Sequence, residues 1–296
     1  MHTSVLLHES VEGLHLKQGD TAIDGTTGLG GHTEAIVNSI GATGTLLALD
    51  LDEDALQKAK TRLAYTSAEV RFREASFRDI SAIVREEGLK HVHGILFDLG
   101  WNATQLESGR GFSFLSDDPL IMTYLKHPAA EETAAAIVNE WSEHDLAEVI
   151  ATLGEERYAS RIAEAIVARR GVSPIKTAKD LAEIVASAVP RWYRAGRIHP
   201  ATKTFQALRM LVNGELSAIE SGVRGALEVL EGGGRLAIIT FHSLEDGLVK
   251  RLFKAAEKAG GGKIITKKPI VPPREEIRAN PRSRSAKLRI FEKYGT

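Results

Sequence analysis

Residues 24–32 read DGTTGLGGH, and the interpretation of this stretch decides the fold. An apolar run, TAI at 21–23, enters it, and a helical pattern, TEAIVNSI at 33–40, leaves it. Strand, glycine-rich turn and helix in that order make a cradle for a nucleotide-type ligand. Glycines let the backbone come close to a ligand, and the N–H groups at the helix start are free to donate to carboxylate, ribose or phosphate oxygens. A turn that merely joins two elements is the plainer reading of the same residues, since glycine is the usual turn residue.

Spacing narrows the ligand. Gly28, Gly30 and Gly31 do not supply the third glycine of the dinucleotide fingerprint G-x-G-x-x-G. A phosphate-binding loop ending in Gly-Lys-Ser/Thr is absent as well. What remains, an acid closing the strand followed by Gly28-x-Gly30, resembles the D/E-x-G-x-G-x-G turn of class I S-adenosylmethionine methyltransferases, with Thr26 at the first glycine position. A second apolar run, GTLLALD at 44–50, ends in Asp50. A carboxylate there can accept both hydroxyls of a nucleoside ribose. Asp52 and Asp54 follow at the start of the helical pattern DALQKAKTRL, where acids favour a helix N-terminus, so the ribose is assigned to Asp50.

Two further strands are expected: EVRFREAS at 69–76, leading to Phe77, and VHGILFDLG at 92–100, carrying Asp98. Strands alternating with helical patterns predict a parallel sheet with helices on both faces and a ligand crevice at the carboxyl ends of the strands. Asp24, Asp50, Phe77 and Asp98 all fall at such ends. Helical periodicity then takes over in SEHDLAEVIATL, EERYASRIAEAIVARR and TAKDLAEIVASAV, with Ser142/Asp145 and Thr177/Asp180 as capping pairs. The expected division is therefore a catalytic domain at 1–107 and 205–296 with an inserted helical domain at 108–204. After the insertion come the helical stretch 205–234, interrupted at Gly214, then a strand RLAIITFH, a helix capped by Ser243 and Asp246, and two closing strands, KIITK and KLRIFEK. The segment between those two strands, 268–286, is polar and proline-rich, hence expected to be exposed and mobile.

With 296 residues, 43% hydrophobic and 26% charged, the chain is an ordinary globular one with room for a core and a smaller domain. Glu9 and Glu12 interrupt the opening apolar pattern and no basic leader precedes it, so neither a signal peptide nor a membrane span is expected, and the expected location is cytoplasmic. The absence of cysteine fits a reducing compartment and removes a thiolate nucleophile. Methylation at carbon 5 of a pyrimidine, which needs that nucleophile, is disfavoured; transfer to an amine or hydroxyl is not. No His/Asp spacing suggests a metal site. A net charge of -1 argues against a nucleic-acid binder, but its distribution argues the other way. Arg191, Arg194, Arg197, Lys203 and Arg209 interleave with Trp192, Tyr193 and Phe205, and Lys263, Lys267, Lys268, Arg274, Arg278, Arg282, Arg284, Lys287, Arg289 and Lys293 crowd the C-terminus. Such runs are either solvated faces or RNA-binding surfaces whose aromatics stack on bases.

Taken together, HTSVLLHE at 2–9, DGTTGLGGHT at 24–33, FDLG with QLE and RGFSF, HPATKTFQALRMLVNGEL at 199–216, FHSLED at 241–246 and NPRSRSAKLR at 280–289 resemble the RsmH (MraW) family. Those are the bacterial 16S ribosomal RNA cytosine-N4 methyltransferases. The resemblance runs nearly the whole chain. It implies a class I, Rossmann-like α/β fold with a seven-stranded, mostly parallel sheet, S-adenosylmethionine as cofactor, and the small ribosomal subunit's RNA, in its decoding region, as substrate. Carried over by position, the cofactor contacts are Gly30, Gly31, His32, Asp50, Phe77, Asp98 and Gln105. Asp98, Trp101, Asn102 and His242 are the candidate catalytic residues, and Arg197, His199 and Lys203 the candidate phosphate contacts. A strand-end Asp that only meets cofactor, a Trp that only packs, and a His242 that fixes a strand-helix corner are the structural alternatives. The chain departs from the family at Trp101, Asn102 and Ala103, and at Ile121 and Thr123, where an acid and a base are lost. A non-catalytic RNA-binding assembly factor is the competing reading, and a nicotinamide oxidoreductase is disfavoured by the glycine spacing. Oligomeric state is open, with a dimer among the options.

Overall fold

In a computed structural model, residues 4–100, 108–125 and 127–295 are described. The chain divides into two compact units, one made of Met1–Trp101 and Leu216–Thr296, the other of Asn102–Glu215.

The first unit is built on seven strands: β1 (Thr21–Asp24), β2 (Thr45–Asp50), β3 (Glu69–Glu74), β4 (Val92–Asp98), β5 (Leu230–Thr240), β6 (Gly262–Ile264) and β7 (Lys287–Lys293). Their order is β3-β2-β1-β4-β5-β7-β6. The first five pair in parallel, and β7 runs antiparallel to both its neighbours. The inner strands carry near-continuous apolar runs because both their faces are covered. Ile36, Val37, Ile40, Leu14, Leu288 and Ile290 fill one face; Ile80, Ile83, Ile219, Val223, Val249 and Phe253 fill the other. Edge strand β3 is only half-buried, and Arg71 and Arg73 pair there with Glu69, Glu86 and Glu87, charges that discourage further strand addition. Chain order reverses on either side of β1, so the ligand crevice of such a sheet lies past the carboxyl ends of β1 and β4.

Three details differ from expectation in this unit. β5 begins at Leu230 rather than Arg235: the glycines at 232–234 lie within it, and the extra residues are absorbed by a register shift against β4 between Val92 and Gly94. Residues 268–286, exposed along much of their length as expected, carry regular structure that the sequence did not suggest. They form a helix, Arg274–Ala279, and a 3-10 segment, Pro281–Ser285, and Ile270 exchanges backbone hydrogen bonds with Leu288. Glu276 in that helix accepts from the Leu6 N–H at 2.9 Å, which holds Leu6 at a positive φ of 51° just ahead of helix α1 (Leu7–Leu14). Finally, the helix Ser243–Lys258 is capped by His242 and Glu245, not by Ser243 and Asp246. Glu245 accepts from the Phe241 N–H at 2.8 Å, while Asp246 turns instead to Arg289 at 2.6 Å and Lys287 at 3.2 Å.

The second unit is helical: Ala134–Glu140, Glu143–Thr152, Ala159–Arg170, Ala178–Ala188, Arg191–Arg194 and Ala201–Val212. Leu146, Ile150, Ile162, Ile166, Leu181, Val185, Phe205 and Leu208 form its core. Both capping pairs are present: Ser142 Oγ and Thr177 Oγ1 each accept from the N–H three residues on, at 3.1 Å. The unit ends at Glu215 rather than after Thr204, because Ala201, Phe205 and Leu208 belong to this core and Arg209 makes a two-pronged pair with Glu215 at 2.8 and 2.9 Å. Gly214, at φ 56°, breaks the long helical stretch into Ala201–Val212 and Glu215–Val229. Among the described residues, no helix is long and apolar enough to cross a membrane.

Candidate active site

β1 ends at Asp24, which is fully buried and spent on the turn that follows. Its Oδ1 accepts from the Thr26 N–H at 3.1 Å and its Oδ2 from the Thr33 hydroxyl at 2.8 Å. Strand end, turn and helix α2 (Gly31–Ile40) are thereby braced to one carboxylate. Burial lifts Asp24 to about 6 against the opposing pull of His32, Thr33 and Thr26. Gly28 and Gly30 take positive φ of 51° and 80°, which only glycine adopts without strain. Gly30 is followed by helix amides with no side-chain cap, donors available to an anionic ligand group. A Cβ on Gly31 would meet the Ser4 hydroxyl at 2.0 Å and require that side chain to turn away.

β2 ends at Asp50. Its two oxygens accept from the Gly28 N–H at 2.7 Å and the Asp52 N–H at 2.9 Å. This ties the glycine turn to the second strand, yet each carboxylate oxygen has a second lone pair for a ribose hydroxyl. Burial raises the Asp50 pKa and the amide donors oppose the rise. Asp52 caps helix α3 (Glu53–Arg62), accepting from the Asp54 and Ala55 amides.

Past β3, Ser76 Oγ accepts from the Arg78 N–H and starts a 3-10 turn, Phe77–Asp79. The Phe77 ring lies 4.7 Å from that of Phe97. Gly25 and Gly222 admit this pair, since a Cβ on either would come within 2.5 Å of a ring carbon.

β4 ends at Asp98, whose N–H donates to Thr26 Oγ1 at 2.6 Å and whose Oδ1 accepts from the Gly100 N–H at 3.3 Å. Thr26, at the first glycine position of the class I turn, thus uses its hydroxyl to lock β4 to the turn. Burial pushes the Asp98 carboxyl up to about 7, the Gly100 amide opposing and the Glu245 charge adding. Beside it lies His32, buried, with Nδ1 3.6 Å from Asp98 Oδ2 and Nε2 3.1 Å from the Val5 carbonyl. Burial pushes the His32 pKa down, against Asp24 and Val5, which favour its charged form. The neutral ring therefore carries its proton on Nε2, facing the carbonyl, and turns a lone pair toward Asp98.

His242 acts at the corner after β5: its Nδ1 accepts from the Glu245 N–H at 3.5 Å. Its Nε2 is 3.1 Å from Glu245 Oε1 but makes no hydrogen bond there. Trp101, Asn102 and Gln105 lie outside the described residues. In the helical unit Arg197 is exposed, His199 stacks on Phe114 with centroids 4.5 Å apart, and Lys203 Nζ donates to the Glu155 carbonyl at 2.6 Å. Two members of the first basic and aromatic run are internal: Phe205 is buried, and Arg209 is committed to Glu215. Likewise Asp246 takes Arg289 and Lys287, Glu292 takes Lys263, and Lys293 donates to backbone carbonyls. Of the expected C-terminal basic cluster, Lys267, Lys268, Arg274, Arg278, Arg282 and Arg284 remain exposed. Of the two departures in the helical unit, Thr123 is buried, with its hydroxyl accepting from the Leu125 N–H, and Ile121 exchanges backbone bonds with Pro119 and Ala134.

The sequence does not show that Thr26 and Thr33 hold the turn together: Thr26 stands where the class I turn has its first glycine but meets the Asp98 N–H from 72 residues away, and Thr33 donates back to Asp24 across the whole turn.

A seven-stranded sheet with one antiparallel strand, a glycine turn bound to a strand-end carboxylate, and a half-buried acid at the end of β4 define an S-adenosylmethionine-dependent methyltransferase of class I. The MraW methylase family model matches residues 1–294. This chain belongs to that family. It is 43% identical over 292 residues to the ribosomal RNA small subunit methyltransferase H of Persephonella marina, covering 99% of each chain. To the protein of the same name from Synechococcus elongatus it is 46% identical over 293 residues, covering 99% of this chain and 94% of that one. Among solved structures, a putative rRNA-methylase from Clostridium thermocellum aligns at a TM-score of 0.47 and 12% identity, over 99% of this chain and 100% of that one.

Proposed function

We propose that this chain methylates the N4 amine of a cytosine in the decoding region of 16S ribosomal RNA, within the small subunit. Its relatives' names point to small-subunit ribosomal RNA. The observation that carries the amine reading is Asp98, a half-buried acceptor whose N–H is held by the Thr26 hydroxyl and whose Oδ1 accepts from the Gly100 amide.

The cofactor fits the residues present: a turn held open by glycines at positive φ at 28 and 30, uncapped helix amides, and Asp50 with lone pairs to spare. Gly30, Gly31, His32, Asp50, Phe77, Asp98 and Gln105 would hold it, and it supplies an electrophilic methyl group on a sulfonium. The chain's own task is to make N4 reactive. The N4 lone pair is conjugated into the ring, so an acceptor must draw on its hydrogens before the nitrogen becomes nucleophilic. Asp98 or the Leu99 carbonyl accepts from N4. Methyl transfer would exchange the cofactor's S–C bond for a new N–C bond, leaving a neutral thioether and one proton too many on N4; ionised Asp98 Oδ2, with its pKa raised to about 7, would take that proton. Trp101 stacks on a flipped base, Asn102 and His242 rim the site, and Arg197, His199 and Lys203 meet RNA phosphates. The helical unit serves substrate recognition.

Incubating the chain with labelled S-adenosylmethionine and either small subunits or naked RNA, then mapping the modified base, tests this. Label on N4 of one decoding-region cytosine supports the proposal. Label elsewhere overturns the site, and RNA binding without label makes the chain an assembly factor.

A further inference from the structure

Trp192 is 62% exposed, yet its ring is held from several directions. The Arg157 guanidinium sits 4.7 Å from its centroid and about equally near the rings of Tyr193 and Tyr158, at 4.9 and 5.0 Å. Tyr193 meets Trp192 edge-on, with centroids 6.0 Å apart at 86°, and Tyr158 meets it at 6.4 Å and 70°. The cluster is anchored beneath. Tyr193 donates its hydroxyl to Glu156 Oε2 at 2.6 Å, and the other oxygen of that buried carboxylate accepts from the Tyr158 N–H at 2.9 Å. Burial and the Glu156 carboxylate push Tyr193 up to about 12, so it stays a neutral donor at any working pH.

A large aromatic fixed in place but open to solvent is what a stacking partner needs, because the entropy of ordering the ring is lost before binding. The surrounding charge selects the partner. Segments 155–164 and 191–197 carry five arginines, Arg157, Arg161, Arg191, Arg194 and Arg197, against three carboxylates, of which Glu156 is already engaged. Among the described residues, this unit's ion pairs lie elsewhere, at Lys179–Asp117 and Arg209–Glu215. Arginines without carboxylate partners around an ordered, exposed ring match a polyanion that also offers planar faces, which is unpaired nucleic acid.

We propose that Trp192, backed by Arg157, is a stacking platform for an unpaired base of the RNA substrate, with Arg161, Arg191, Arg194 and Arg197 contacting the neighbouring phosphates. The platform rests on RNA being the substrate, and it adds a base contact separate from Trp101.

The test uses the full chain and a fluorescent single-stranded oligouridylate of about ten nucleotides, long enough to cover one stacking site and its phosphates. Binding is followed by anisotropy beside a duplex RNA of equal length. Trp192→Ala should weaken single-strand binding roughly 5- to 100-fold. Duplex binding and S-adenosylmethionine affinity should stay within about twofold, the scatter expected of a surface change. Trp192→Phe keeps a ring and should recover most of the loss, which also covers the case in which the alanine variant does not fold. Single-strand binding within twofold of wild type in both variants overturns the platform. So does displacement of the oligonucleotide by polyglutamate as readily as by unlabelled RNA, which would make this a general anion or acidic-protein face. A wild-type chain that methylates RNA while Trp192→Ala binds normally fails the platform alone; a wild type that binds RNA without methylating it fails the catalytic reading alone.

Discussion

Nδ1 of His32 stands 3.6 Å from Oδ2 of Asp98, while the other ring nitrogen of His32 is 3.1 Å from the Val5 carbonyl. One buried imidazole thus lies between the opening segment of the chain and the strand end at which we propose methyl transfer. With the Nε2 proton directed at the carbonyl, the ring nitrogen that faces Asp98 has no proton to give to that carboxylate.

The pH dependence follows. Asp98, at about 7, lies above the ordinary carboxylate value of 3.8, so the folded chain binds a proton that the unfolded chain has released. Stability of the ligand-free chain therefore falls as pH rises from about 4 to about 7, by an amount on the order of a few kcal/mol from this group. Denaturant midpoints at pH 5 and pH 8 should separate more in the wild type than in Asp98→Asn; parallel behaviour would contradict the assignment. Turnover runs the other way, rising with pH through about 7 as the acceptor ionises. Asp98→Asn should lose that rise and about a hundredfold or more in kcat.

Asp50→Ala should raise the Kd for S-adenosylmethionine roughly 10- to 100-fold, the value of one or two hydrogen bonds to a charged acceptor. The loss has two sources, the ribose contacts and the release of the Gly28 amide now bound at 2.7 Å. Calorimetric titration measures it, and an unchanged Kd would place the nucleoside elsewhere.

Gly25→Ala inserts a methyl 2.5 Å from two ring carbons of Phe97 and 3.1 Å from the Phe77 Cβ. Overpacking of this kind costs about 1–3 kcal/mol, and here it displaces the Phe77 ring. The melting temperature should fall together with cofactor affinity. A fall in stability with cofactor binding intact would remove Phe77 from the site.

Arg289→Met should destabilise the first unit by about 3–5 kcal/mol. Arg289 is 6% exposed and bonds both oxygens of Asp246, at 2.6 and 3.2 Å. Burial works against the Asp246 charge, but Arg289 and Lys287 outweigh it and leave the pKa below the ordinary value. The pair's contribution is thus present above pH 4 and is lost as pH falls through that lowered value. A double-mutant cycle with Asp246→Asn, read by chemical denaturation, isolates the coupling.

Much of the site was legible because its residues sit at strand ends, and strand ends are visible wherever an apolar run meets an acid or a glycine. Asp24, Asp50 and Asp98 each close the run that predicts them. The N-cap after β5 was read one residue late because Ser243 and Asp246 satisfy the local pattern as well as His242 and Glu245 do. What decided it was Arg289, 43 residues on, which draws Asp246 away. The basic runs misled for a similar reason: composition counts Arg209, Arg289 and Lys263 as charges offered to a partner, whereas each already has a carboxylate.

The sequence by itself determined the alternation of strands and helices, the glycine turn and the acids that follow strands, since these depend on local periodicity and on which residues tolerate a given φ. Only the tertiary structure decided that Asp24 braces the turn, that burial raises both Asp24 and Asp98, that Thr26 ties β4 to that turn, and that Arg157 and Tyr193 hold Trp192 at the surface. Those roles arise from burial and from partners far apart along the chain, and neither exists until the sheet and the helical core have closed.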